Sequence, residues 1–306
     1  CILEIDPEDN ATFMPFGDYI AQATKEDTSP RETGTPFIFC SATLATPKLD
    51  GFKKQLGITS CLEMIAASPF DFGSNALLYV PNGETPDPKQ KEWPQWVADD
   101  MRRMVIGSKG GAFLLFTSYK VMRETLDKIG SAFATAGLTV LAQGKNTKNQ
   151  IISEFKINPN CVLFGTKSFW EGIDIQGYNL RLIYIDKLPF APPHPLTEAI
   201  KTNGAGDWFT VDLPLAIHDL KQGAGRLIRT STDKGVIAIG DTRIRTAQYG
   251  RHNILPSLPP APLVANHYQA LEFLNKMQED RKLSPLEVFG IEREFIQPVE
   301  IDGMVF

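Results

Sequence analysis

Two guanidiniums and an amide recur in this chain at a spacing suited to gripping a polyphosphate. Between Lys221 and Thr230 the sequence reads Lys-Gln-Gly-Ala-Gly-Arg-Leu-Ile-Arg-Thr. If the segment is helical from Pro214 onward, at about 100° per residue, Gln222, Arg226 and Arg229 fall within a wedge of about 60°, because i, i+4 and i+7 share a face. Ala216, Ile217, Leu220, Ala224, Leu227 and Ile228 then lie on the opposite side, available for packing. Planar, permanently charged forks held in register suit a phosphate chain. The plainer alternative is a solvated helix face with two ordinary surface arginines.

Three further polar clusters follow apolar runs. Ser41-Ala42-Thr43 comes after Phe37 to Cys40, and Thr117-Ser118-Tyr119 after Ala112 to Phe116. Small hydroxyl residues just past a buried strand occupy the place where open α/β sheets put their sites. A helix amino terminus flanked by Thr117 and Ser118 favours an anion, although Ser118 could simply be an N-cap. The third cluster runs from Gly165 to Asp174 and holds Thr166, Lys167, Ser168, Phe169, Trp170, Glu171 and Gly172. It superficially resembles the end of a phosphate-binding P-loop, but Thr166 separates Gly165 from Lys167. No glycine stands five residues earlier, so the Walker A spacing fails. Taken alone, Glu171 and Asp174 are solvated charges on a helical turn.

These clusters need elements to position them. Continuously apolar strands are expected at Leu77–Val80, Ala112–Phe116, Leu138–Leu141, Cys161–Phe164, Leu182–Ile185 and Val236–Ile239. Amphipathic helices are expected at Trp93–Val105, Tyr119–Phe133, Lys148–Phe155, Leu213–Ile228 and Asn266–Arg281. Such alternation means a parallel sheet covered on both faces, a doubly wound α/β domain. Phe37–Cys40 reads as a further short strand, and Lys48 to Leu56 as a short helix. Pro81 to Pro94 is a proline-rich connector, and the four prolines between Pro189 and Pro195 make a rigid loop. The expected divisions are 1–80 as a border segment, 81–260 as the main lobe and 261–306 as a helical flank.

With 306 residues, 42% of them hydrophobic, the chain can bury a substantial core. A net charge of −5 means that any nucleic-acid contact must come from a local stripe. Cys1, Cys40, Cys61 and Cys161 lack metal-ligand spacing, so no metal site is expected from them. Cys40 and Cys161 read as reduced core thiols of a cytoplasmic protein. Neither a membrane span nor a leader peptide is indicated. The opening Cys1 suggests a piece of something longer.

In order, Ser-Ala-Thr, Phe-Thr-Ser-Tyr, Thr166-x-x-Phe169-x-Glu171-Gly172-x-Asp174 and Gln222-x-x-Gly225-Arg226-x-x-Arg229 resemble motifs III to VI of superfamily 2 helicases. The match is to the XPD/DinG-like group. Ser68-Pro69-Phe70-Asp71, Lys187-Leu188-Pro189-Phe190 and Tyr249-Gly250 fit it as well, and the resemblance runs from about Phe37 to Pro259. It implies a RecA-like second helicase lobe with amino- and carboxyl-terminal flanks. Members also carry a first lobe with a Walker A lysine and an Asp-Glu-Ala-His box, and usually four cysteines on an iron–sulfur cluster; none of these is read here.

The resemblance therefore implies a cytoplasmic, ATP-dependent DNA-repair helicase, running 5′ to 3′, of which this is the C-terminal half. ATP and Mg2+ would be used by the intact protein, and a cluster, if present, would sit in the other half. Arg226 and Arg229 would reach ATP as arginine fingers, supported by Gln222; Glu171, Gly172, Asp174 and Gly225 would border the nucleotide. Thr117, Ser118, Thr166, Lys167 and Trp170 would contact single-stranded DNA or forks, with Phe169 and Tyr119 as further stacking candidates. Ser41 and Thr43 would couple the two sites. The partners would be DNA and the chain's own first lobe, and hydrolysis by this half alone is not expected. The rivals are a non-catalytic RecA-like module that binds nucleic acid or a partner, and an unrelated doubly wound transferase, which would need a phosphate loop of its own.

Overall fold

The computed structural model describes residues 68–282 apart from 83, 171–174, 176, 193 and 203–206, together with residues 2–5, 11–14, 38, 39, 53, 58, 61–64, 300, 301, 304 and 305. For the outlying strands and for residues 168, 170, 196, 200, 281 and 282 it describes the backbone alone.

Each apolar run forms a strand because nearly every side chain on it is buried on one sheet face or the other. The strands are β1 (Ala76–Tyr79), β2 (Ala112–Phe116), β3 (Thr139–Ala142), β4 (Cys161–Thr166), β5 (Leu182–Ile185), β6 (Gly235–Ile239) and β7 (Leu263–Val264). They make one seven-stranded sheet in the order β3-β4-β2-β5-β6-β1-β7, and every pairing in it is parallel. The helices α1 (Trp93–Ser108), α2 (Tyr119–Thr135), α3 (Lys148–Ile157), α4 (Pro195–Thr202), α5 (Asp212–Ala224) and α6 (His267–Lys282) complete the alternation.

Successive strand residues divide between two cores, as the pleat requires. Phe113, Leu115, Ile183, Ile185, Ile237 and Ile239 face one core with Leu213, Ile217 and Leu220 of α5 and Ile151 and Phe155 of α3. Leu114, Phe116, Phe164, Leu182, Tyr184 and Val236 face the other with α1, α2 and α6. The sheet also takes in β1 and β7, which lie outside the expected 81–260 division.

Two differences from expectation bear on the site. First, α5 stops at Ala224 rather than continuing to Ile228. Gly225 caps it, and the chain tightens through Arg226 N–H to Gly223 O and Leu227 N–H to Ala224 O, each at 3.3 Å. The glycines flanking Ala224 lower the cost of leaving the helix, and Arg229 N–H turns to Asp233 at 2.8 Å instead of to a helical carbonyl. Gln222 is therefore helical, Arg226 lies in the turn and Arg229 lies beyond it, so the single-face geometry does not hold. The packing side survives, with Leu227 and Ile228 both 2% exposed. Second, Ile38 and Phe39 are exposed and outside any strand. The rest of Phe37–Cys40, and Lys48–Leu56 apart from Lys53, lie outside the described residues.

A buried polar clamp ties α1 to the sheet. Asp100 accepts from Tyr184 Oη at 2.6 Å and from Tyr79 Oη at 3.2 Å, all three being at most 2% exposed. Burial raises the Asp100 carboxyl above its ordinary range, against the two tyrosine hydrogen bonds, which lower it. Replacing Asp100 by Ala strands two buried hydroxyls, at about 1–3 kcal/mol each. Urea denaturation is expected to show that loss without a change of fold by circular dichroism.

Candidate functional site

Seven parallel strands carry all their carboxyl ends to one edge, and several of the candidate side chains hang there. Thr117 follows β2 and donates both its N–H and its hydroxyl to Asp186, at 3.1 and 3.3 Å. Asp186 follows β5, is wholly buried, and also accepts from Lys187 N–H at 2.7 Å. Thr166 ends β4 in a matching arrangement: its N–H and hydroxyl both donate to Gln143 Oε1, each at 2.8 Å. A hydroxyl has one proton to give. In this state, then, the two threonines have already committed their donors to neighbouring strand ends. Ser118 differs, since it takes the N-cap position of α2 in an extended conformation without a side-chain capping bond.

Lys167, in the helical turn Lys167–Trp170, reaches Asp219 of α5 at 2.6 Å. The lysine is 58% exposed and the carboxylate 12%, so the pair joins the strand-end cluster to the helix that carries Gln222. Gln222 Nε2 lies 2.9 Å from His218 Nε2. The contact holds the Gln222 amide one helical turn from the His218 ring. Of the stacking candidates, Tyr119 is 45% exposed while Phe169, at 5%, belongs to the core. The Trp170 side chain, Glu171, Gly172, Asp174, Ser41 and Thr43 lie outside the described residues.

The arginines sit elsewhere. Arg226, Arg229 and Asp233 precede β6, and Gly177 precedes β5, which puts them at the amino-terminal edge of the sheet. Arg226, Arg229, Gln222 and Gly225 are all partly exposed. Burial holds the neighbouring Lys221 ammonium below its usual range. The donor set of one amide and two guanidiniums fits a phosphate rather than a metal. Among the described residues no three His, Cys, Asp or Glu side chains gather to hold a metal ion. The Cys161 thiol is buried, which pushes it up to about 12. None of the described helices is long and apolar enough to cross a membrane.

Sequence reasoning missed the carboxylates. Asp186 and Asp241 both stand one or two residues past an apolar strand, which is a readable signal. Asp241, fully buried, accepts from Leu188 N–H at 2.9 Å and from Arg243 through both its oxygens, at 2.9 and 2.6 Å. It thereby fixes the Lys187-Leu188-Pro189-Phe190 loop. Phe190, Trp208 and Tyr249 cluster beside it, with Trp208 at 5.3 and 5.0 Å from the other two rings.

An all-parallel sheet with hydroxyl and carboxylate clusters on one edge and an arginine turn on the other defines a RecA-like helicase lobe. The chain belongs to the helicase C-terminal domain family, whose model matches residues 101–260. It is 38% identical over 244 residues to the ATP-dependent DNA helicase YoaA of Escherichia coli, covering 78% of this chain and 38% of that protein. It is 31% identical over 215 residues to the ATP-dependent helicase DinG of Mycobacterium tuberculosis, covering 69% of this chain and 32% of that one. The chain thus spans less than two fifths of the length of these relatives. In fold it is similar to a solved structure titled XPD helicase, with a TM-score of 0.53 and 15% identity over 70% of this chain and 40% of that one.

Burial pushes the Asp186 carboxyl up to about 7 from its ordinary 3.8, against the lowering effect of Lys187 and the hydrogen bonds from Lys187 and Thr117. Between those values the folded protein holds a proton that the unfolded chain releases. The stability from that proton is complete below the lower value and is lost as pH rises through the upper one. Asp186→Asn removes this dependence. Its melting temperature relative to the unmodified chain is expected to rise from about pH 4 to about pH 8 and then level off, as a fluorimetric melting series checks.

Proposed function

We propose that this chain is the second RecA-like lobe of a longer ATP-dependent DNA helicase. On this reading the amino-edge turn faces ATP, and the carboxyl edge faces single-stranded DNA. The Lys167–Asp219 ion pair carries the reading, because it joins a cation at the strand-end cluster to the helix leading into the arginine turn. The match to helicases named as ATP-dependent supports the same assignment.

Arg226 and Arg229 act as arginine fingers on the terminal phosphate, where two fixed guanidiniums offset charge developing in the transition state. Gln222 supports the phosphates, and Glu171, Gly172, Asp174 and Gly225 border the nucleotide. ATP supplies the group transferred, and Mg2+, where bound, neutralises phosphate charge. Mg2+ acts in the intact protein, whose first lobe carries the catalytic base and, where the protein has one, the iron–sulfur cluster.

Ser118 and Lys167 contact backbone phosphates, which set register without reading bases. Thr117 and Thr166 position the strand ends, and join the DNA contacts only by exchanging Asp186 or Gln143 for phosphate. Tyr119 and Trp170 offer ring faces to bases, and Ser41 and Thr43 couple the two sites. Closing and reopening of the cleft between lobes moves the strand 5′ to 3′, in the cytoplasm.

The test joins this chain to its N-terminal half and measures ATP hydrolysis with and without single-stranded DNA. Arg229→Ala is expected to cut the stimulated turnover by about 10³–10⁵, as the loss of an arginine finger does in related enzymes. An unchanged stimulated rate would sink the role assigned to this arginine. In the same protein Lys167→Ala is expected to lower the slope of log affinity against log salt by about 0.7, the share of one phosphate contact on a single strand.

A further inference from the structure

Asp233 is 2% exposed, and the cluster it organises lies away from the strand-end residues. Its Oδ2 accepts from Arg229 N–H and from Thr230 N–H, each at 2.8 Å. Its Oδ1 accepts from Gly177 N–H at 2.8 Å, across 56 residues of sequence. A carboxylate holding three main-chain donors fixes the backbone on both sides of itself, since charge-assisted hydrogen bonds are short and strong. Gly177 takes part with φ +73°, a conformation that residues with side chains rarely adopt. The turn is closed again by Asp233 N–H to Thr230 O at 3.4 Å. The bond from Arg229 N–H also replaces the helical bond that a longer α5 would have made, so the carboxylate determines where the Arg229 side chain begins.

We propose that Asp233 is a positioning residue for ATP hydrolysis, pinning the main chain of Arg229 against the Gly177 turn so that the guanidinium starts from one fixed point. This rests on the reading of Arg229 as an arginine finger. Asp233 itself touches neither nucleotide nor DNA; it acts through Arg229. A guanidinium displaced by about 1 Å loses much of its effect on a transition state, on the order of 10²-fold.

Asn at 233 keeps one carbonyl oxygen but turns an amide NH2 toward main-chain donors, so at least one of the three bonds is lost. The protein to use is the full-length helicase, with Asp233→Asn, Arg229→Ala and the double variant. The readouts are kcat and KM for ATP in single-stranded DNA, DNA affinity without ATP, and melting temperature. The expected result for Asp233→Asn is a fall in kcat of about 10-fold or more with DNA affinity unchanged. In the Arg229→Ala background, Asp233→Asn is expected to cost nothing further, because residues acting as a unit are non-additive.

If Asp233→Asn does not fold, Asp233→Glu keeps the charge while moving the carboxylate by one methylene, and the same kcat loss is expected. Unchanged kcat, full additivity with Arg229→Ala, or an equal loss of DNA affinity and kcat would each overturn the proposal. If Arg229→Ala alone leaves turnover untouched, it is the arginine-finger reading that fails. If Arg229→Ala abolishes turnover, Arg229→Lys takes its place in the double variant, and full additivity of Asp233→Asn with Arg229→Lys means that only the positioning role fails.

Discussion

The parallel sheet constrains everything else in this protein. Because all seven strands run the same way, every strand-to-helix turn lies on one edge and every helix-to-strand turn on the other. Two kinds of chemistry are thereby separated within one rigid layer. Hydroxyls, a lysine and buried carboxylates collect at the carboxyl edge, and the arginine turn forms at the amino edge. α5 spans the gap between the two edges. The Lys167–Asp219 pair ties it to the carboxyl edge, and the Asp233 carboxylate fixes the turn that follows it at the amino edge. α5 and its two end contacts thus connect one edge of the sheet to the other.

Buried carboxylates give these joints their precision. Asp186, Asp233 and Asp241 are each at most 2% exposed, and each accepts main-chain N–H donors from a loop that must hold its shape. A carboxylate in such a place is costly unless its lone pairs are satisfied. The hydrogen bonds that satisfy them are the ones that fix Thr117, Arg229 and Leu188. At Asp186 burial outweighs the hydrogen bonds and the nearby Lys187, and the carboxyl is pushed up to about 7.

Much of the fold was legible because a strand buried on both faces writes itself as an unbroken apolar run. Ala112–Phe116 and Leu182–Ile185 were read to the residue for that reason. The end of α5 was readable too, from Gly223 and Gly225, yet the attractive spacing of Gln222, Arg226 and Arg229 argued for a longer helix. Tertiary bonding settled it, through an acceptor four residues beyond Arg229. The clamps were not legible, because Thr117 and Asp186 are 69 residues apart and Lys167 and Asp219 are 52 apart. Nothing local in the sequence says that Thr166 will give its proton to Gln143. The hydroxyls were found by position, while their partners needed the sheet order.

The central claim is that this lobe holds only part of an ATP site and contributes to turnover from across a cleft. Phosphate release from the 306-residue chain, measured with ATP, Mg2+ and single-stranded DNA beside the same chain joined to its N-terminal half, tests that claim most directly. The account predicts background release from the chain alone and DNA-stimulated release from the joined protein. Sustained, DNA-stimulated turnover by the chain alone would contradict it.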